Sequence, residues 1–124
     1  MTIQQVSQKY GLTEDTLRYY ERVGMIPPVP RTGSGRREYG ESDCQWVELA
    51  KCMRAAGLPV QKIVEYAGLC REGDHTLPQR LMLLKDQREQ LLDARRQLDE
   101  TLKKLEVKIG RYEEAVQTGA LSWD

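Results

Sequence analysis

Thr13-Glu14-Asp15-Thr16-Leu17-Arg18-Tyr19-Tyr20-Glu21-Arg22-Val23-Gly24, residues 13–24, is the stretch on which the reading of this chain turns. Thr13 has the side chain of an N-cap, Glu14 and Asp15 complement the positive end of a helix dipole, and Gly24 offers a C-cap. Between the caps, Leu17 and Tyr20 fall on one face. Arg18 and Arg22, four apart, share another with Tyr19 beside them. Two like charges at that spacing repel mildly in an isolated helix, so a polyanionic partner is one reason to keep them together. A solvated amphipathic helix is the plainer reading of the segment taken alone.

The flanks favour the first reading. Ile3, Val6 and Tyr10 recur at helical spacing, and Gly11-Leu12 supplies a C-cap and a tight turn before Thr13. Two short helices joined so closely read as a helix-turn-helix. Met25-Ile26-Pro27-Pro28-Val29-Pro30 cannot be helical. Arg31-Thr32-Gly33-Ser34-Gly35-Arg36-Arg37-Glu38-Tyr39 then reads as a glycine turn between two extended arms, a hairpin wing. Its arginines make the tip locally basic, and the alternative is a flexible basic loop in solvent. Gly33-Ser34-Gly35 lacks the Gly-Lys-Ser/Thr that completes a phosphate-cradling nucleotide loop.

In order and wording these segments resemble the MerR-type transcription regulators. The resemblance rests on Leu17-Arg18-Tyr19-Tyr20-Glu21, on Val23-Gly24-Met25-Ile26-Pro27, and on Gly35-Arg36-Arg37-Glu38-Tyr39 leading through Ser42-Asp43 into the next helix. It implies a winged helix-turn-helix head in which Arg18, Tyr19 and Arg22 meet bases and phosphates, and Arg36, Arg37 and Tyr39 mainly phosphates. One departure is Arg36, at a place where wings of that family often carry an aromatic.

Composition sets limits that agree. The chain has 124 residues and a formal net charge of zero, so any affinity for DNA must reside in local patches. The N-terminus lacks a charged-then-apolar signal and no apolar stretch approaches a bilayer span, so no membrane association and a cytoplasmic location are expected. The three cysteines, Cys44, Cys52 and Cys70, are odd in number and lack Cys-x-x-Cys spacing, which suits reduced thiols. Cys70 with Asp74 and His75 gives only a weak metal signal, and neither a metal nor another cofactor is expected. Lone His75 has no evident catalytic partner, so an enzyme is not expected either.

Beyond the wing, a third helix is expected from Ser42 or Asp43 to Gly57, with Trp46, Leu49, Ala50 and Met53 inward. A fourth follows from Pro59 to about Gly68, burying Val60, Ile63, Val64 and Ala67. A loop from Leu69 to His75 comes next, and Thr76-Leu77-Pro78-Gln79 reads as a capping box restarting the helix.

From there the second strong signal begins. A 4-3 spacing runs through Leu77, Leu81, Leu84, Arg88, Leu91, Arg95, Leu98, Leu102, Leu105, Ile109, Tyr112 and Val116, all apolar except the two arginines. Polar residues flank this narrow seam, which is the coiled-coil pattern. Some forty residues make a rod of about 60 Å, too long for a head of this size to cover. The seam therefore calls for a second chain, with Leu84, Leu91, Leu98, Leu102, Leu105 and Ile109 as its dimerisation residues. The resemblance adds that such helices pair antiparallel in a homodimer.

The expected organisation is mainly α: a winged helix-turn-helix domain with two following helices over 1–75, a dimerisation helix over 76–118, and a short tail over 119–124. The partners implied are double-stranded promoter DNA, a second copy of the chain and, indirectly, RNA polymerase. Family members of this type distort promoter DNA so that polymerase can read it. Cys52 matches the single cysteine of the branch that responds to aldehyde and thiol stress and has no C-terminal metal- or drug-binding domain. That implies Cys52 as the effector-sensing thiol, half buried beside the apolar stripe of the third helix, with Cys70 as a possible second thiol. Two alternatives stand beside it, a constitutive DNA-binding dimer whose cysteines merely pack and a coiled-coil assembly module that does not bind DNA.

Overall fold

The computed structural model of the protein describes residues 1–121. Its helices are α1 (Ile3–Tyr10), α2 (Glu14–Val23), α3 (Glu41–Ala55), α4 (Val60–Glu72) and α5 (Leu77–Thr118), with a 3-10 turn over Asp74–Thr76 before the last. Two compact units divide the chain, Met1–Lys85 and Asp86–Asp124.

The first unit holds the core. Val6 of α1 and Leu17 and Tyr20 of α2 pack with Met25, Ile26 and Val29 from the proline-rich connection, and with Cys44, Val47 and Ala50 of α3 and Ile63 of α4. α2 and α3 contribute residues three apart, so each of them buries one stripe and leaves the other wet. A fully buried Leu or Met is worth about 1.5–3 kcal/mol, and the helices, each too short to persist alone, depend on that burial.

The caps are local chemistry. Thr2 and Gln5 form a capping box at the start of α1, and Gly11 ends it at φ 65°. Thr13 accepts the Thr16 amide at the start of α2, and Gly24 ends it at φ 88°, where a Cβ would be strained.

Three expectations need correction. α3 starts at Glu41, earlier than Ser42, because Gly40 takes the N-cap position and donates its amide to Asp43 Oδ2 at 2.8 Å. α4 runs through Gly68 to Glu72, since Ala67 remains buried and the chain does not turn until Gly73, at φ 111°. Thr76 forms no capping box: its hydroxyl lies 2.7 Å from the Leu69 carbonyl and 2.8 Å from that of Gly73, and Arg80 Nε donates to it at 2.8 Å.

In the second unit α5 continues as one helix to Thr118. The apolar seam lies exposed on the single chain, Leu98 at 68 % and Val116 at 83 %. Of the tail expected over 119–124, residues 122–124 lie outside the described residues. No helix among the described residues is long and apolar enough to cross a membrane.

Candidate nucleic-acid interface

α2 turns Leu17 and Tyr20 into the core and leaves Arg18 and Arg22 exposed, with Tyr19 half-buried between the two faces. Arg18 pairs within its own helix, with Asp15 at 3.0 Å and Glu14 at 3.4 Å. Such exposed pairs contribute about 0–1 kcal/mol each, so they hold the side chain extended without committing it. The Arg22 guanidinium lies over the Tyr19 ring, 5.5 Å from the centroid.

The wing is a tight hairpin whose arms meet in one antiparallel bridge, Arg31 with Arg37. Thr32 donates its amide to the Arg36 carbonyl at 2.7 Å, and Glu38 donates to Pro30 at 2.8 Å. Gly35 sits at φ 83°, and Arg31 Nη1 donates to its carbonyl at 3.0 Å, bracing the tip. Arg31 and Arg36 are exposed. A concave surface runs between the start of α1, α2 and the wing. Arg18, Arg31, Arg36 and Arg37 line it against a single carboxylate, Glu14. In a chain of zero net charge, this is a local patch suited to a phosphate backbone.

Two of the residues assigned to DNA stand differently. The Tyr39 side chain is 1 % exposed and belongs to the core, so it is not a phosphate ligand. Tyr39 follows the wing as the chain turns inward toward α3. Burial raises its phenol pKa, Arg37 and Arg18 lower it, and Glu21 and Asp43 add to the rise; the hydroxyl has no partner among the described residues. Arg37 is largely covered, its Nε donating to Glu21 Oε1 at 2.6 Å, so it is a braced group.

Glu21 was not singled out from sequence. Its Oε2 also accepts the Val29 amide at 3.0 Å. Burial works to raise its pKa, but the hydrogen bonds from Arg37 and Val29 and the charges of Arg37 and Arg31 outweigh that, and the net shift is downward. The available signal was its spacing: Glu21 lies four residues after Leu17, on the inward face, where a carboxylate needs a partner. Arg31 was missed as well, although it opens the basic wing.

The cysteines separate. Cys44 is buried, with its Sγ 3.9 Å from the Met1 sulfur. Cys52 is exposed, not half-buried as expected, because the inward stripe of α3 runs through Cys44, Val47 and Ala50 and leaves position 52 outside it. Cys70 is half-buried on α4, one turn from Tyr66. Burial raises the Tyr66 pKa, Cys70 raises it further, and Arg80 opposes the rise. Among the described residues, no three His, Cys, Asp or Glu side chains are grouped to hold a metal, so Cys70, Asp74 and His75 form no ligand set.

A family model described as the MerR HTH family regulatory protein matches residues 1–68. The chain belongs to the MerR family. It is a DNA-binding transcription regulator, and its relatives are named as regulators, not as enzymes. It is 52 % identical over 93 residues to the HTH-type transcriptional regulator AdhR of Bacillus subtilis, covering 75 % of this chain and 66 % of that protein. The match thus spans slightly less than two thirds of that relative's length. Among solved structures, a MerR family regulator of Listeria monocytogenes is 40 % identical with a TM-score of 0.91, covering 96 % of this chain and 90 % of that one. HiNmlR, a MerR family regulator lacking the sensor domain and bound to promoter DNA, is 30 % identical with a TM-score of 0.89, covering 96 % and 94 %.

Proposed function

We propose that this MerR-family protein acts as a homodimer, placing one α2 per protomer in the major groove and setting its wings against the flanking backbone. The observation that carries the reading is the concave surface on which Arg18, Arg31, Arg36 and Arg37 converge from α2 and the wing. Arg18, Tyr19 and Arg22 read bases and adjacent phosphates, and Arg36 and Arg37 bind phosphates. The exposed seam of α5, from Leu84 through Leu91, Leu98, Leu102 and Leu105 to Ile109, is the surface for a second copy paired antiparallel. The dimer acts in the cytoplasm by distorting promoter DNA, and RNA polymerase responds to the altered spacer.

The trigger is modification of the Cys52 thiol by an electrophile such as a small aldehyde. The exposure of Cys52, where Cys44 is buried, supports it, and the resemblance to the thiol-responsive branch implies the same residue. Addition of the thiolate to the aldehyde carbonyl gives a hemithioacetal, and the new oxyanion takes a proton from water. Cys70 is the candidate for a second or resolving thiol. Transcription from a target promoter, with and without aldehyde, tests this: Cys52→Ser should bind the promoter normally and lose induction. Normal induction of that variant removes the thiol trigger and leaves the constitutive DNA-binding dimer.

A further inference from the structure

We infer that Glu21 is a positioning residue for DNA recognition, one that sets the wing against the recognition helix and aims Arg37 without touching DNA. The inference rests on the proposed wing contact. Glu21 stands on α2, and its two oxygens reach both sides of the wing: Oε2 accepts the amide of Val29, in the connection that leads into the hairpin, at 3.0 Å. Oε1 accepts Arg37 Nε, on the leaving side, at 2.6 Å. One carboxylate thus ties the helix that enters the groove to both ends of the hairpin that meets the backbone.

The wing needs such a tie. Its arms share a single bridge and few backbone hydrogen bonds, and an isolated two-armed hairpin is marginal in water. At its base, Tyr39 is held by the core and by a hydrogen bond that its backbone amide donates to the Met1 carbonyl at 2.8 Å. That anchor fixes where the wing ends but not how it leans toward α2, whereas Glu21 links the two directly.

The geometry of Arg37 gives the link a second role. Nε is engaged by Glu21, and among the described residues neither Nη group has a hydrogen-bond partner. A guanidinium held at Nε presents its Nη pair in a fixed direction, and a phosphate meets it without the entropy cost of ordering a free side chain. The groups facing Glu21 are Arg37 and Arg31 from the wing and the Tyr39 phenol from the core. The net field there is positive, which keeps the carboxylate ionised and the brace closed.

A double-mutant cycle tests this, using the full chain and a duplex selected by the wild-type protein from random-sequence DNA. Glu21→Gln keeps the shape and an oxygen for the Val29 amide while losing the charge. It should fold as wild type does, weaken binding about tenfold, and lose the hydrogen-bonded Arg37 Nε–H signal in the NMR spectrum of the free protein. In an Arg37→Leu background, Glu21→Gln should cost nothing further, because Glu21 acts through Arg37. Equal losses from Glu21→Gln in both backgrounds overturn the inference, as does a variant that loses the Nε–H signal yet binds as wild type. If Arg37→Leu binds normally while Arg18→Ala and Arg36→Ala do not, the interface stands and the role of Glu21 falls. If none of the three arginines matters, the interface reading itself fails.

Discussion

The guanidinium of Arg22 rests over the ring of Tyr19, 5.5 Å from its centroid, one turn along the exposed face of α2. A cation stacked in this way contributes about 0.5–1 kcal/mol at an exposed site and keeps its edge free for hydrogen bonds. Arg18, on the same face, is restrained only by exposed carboxylates of the first turn. The α2 face is therefore ordered on the free chain, and in the proposed complex phosphates or bases replace Glu14 and Asp15 at little cost.

If Arg18 reads a base edge, Arg18→Ala costs about 1–3 kcal/mol of binding and relaxes preference at one position of the site. Arg36→Ala behaves differently. As an exposed phosphate contact it weakens all sequences alike and lowers the salt slope by about one counterion. Titrations at several salt concentrations separate the two; a sequence-dependent loss from Arg36→Ala contradicts the assignment.

Tyr39→Phe tests the place given to that residue in the core. Its hydroxyl is buried without a partner, and such a group costs about 1–3 kcal/mol. Removing it should leave the thermal midpoint unchanged or raised and leave DNA affinity intact. A clear loss of affinity with stability preserved would return Tyr39 to the DNA face.

Glu21 gives a pH dependence of definite sign. Its folded pKa lies below its ordinary value, so the stability it contributes is complete above about pH 4.3 and disappears as pH falls through the folded value. Melting curves across the acid range should show Glu21→Gln less stable than wild type near neutrality, with the gap closing toward low pH. A gap that persists unchanged at the acid end rules out the ion pair as its source.

Most of the architecture could be read from local signals. Thr13, Gly24, Gly11 and Gly35 each fix a cap or turn through backbone chemistry that needs no distant partner. The unbroken run to Thr118 follows from the 4-3 pattern and the lack of proline after Pro78. What failed depended on tertiary context. Gly68 looked like a helix end, but burial of Ala67 and the turn at Gly73 carry α4 past it. Tyr39 belongs to the motif that suggested DNA contact, yet it is core, and the motif did not show that Glu21 holds Arg37, a pairing sixteen residues apart. The position of Cys52 depended on which stripe of α3 faces inward, and a phase error of one residue exchanges buried for exposed.

The seam of α5 makes a prediction about assembly. Leu98 and Leu102 are exposed on the single chain, and an aspartate at either would put a charge into a paired seam. Leu98→Asp should sediment as a monomer at micromolar concentration and lose specific binding while keeping the folded head. A wild-type protein that sediments as a monomer contradicts the paired seam.

Hydroxyl-radical footprinting of the wild-type protein on its selected duplex tests the two-headed reading most directly. Two protected patches are expected on one face of the DNA, related by two-fold symmetry and separated by whole helical turns, with flanking protection that disappears in Arg36→Ala. A single protected patch, or protection unchanged when Arg18 and Arg36 are replaced, would contradict it.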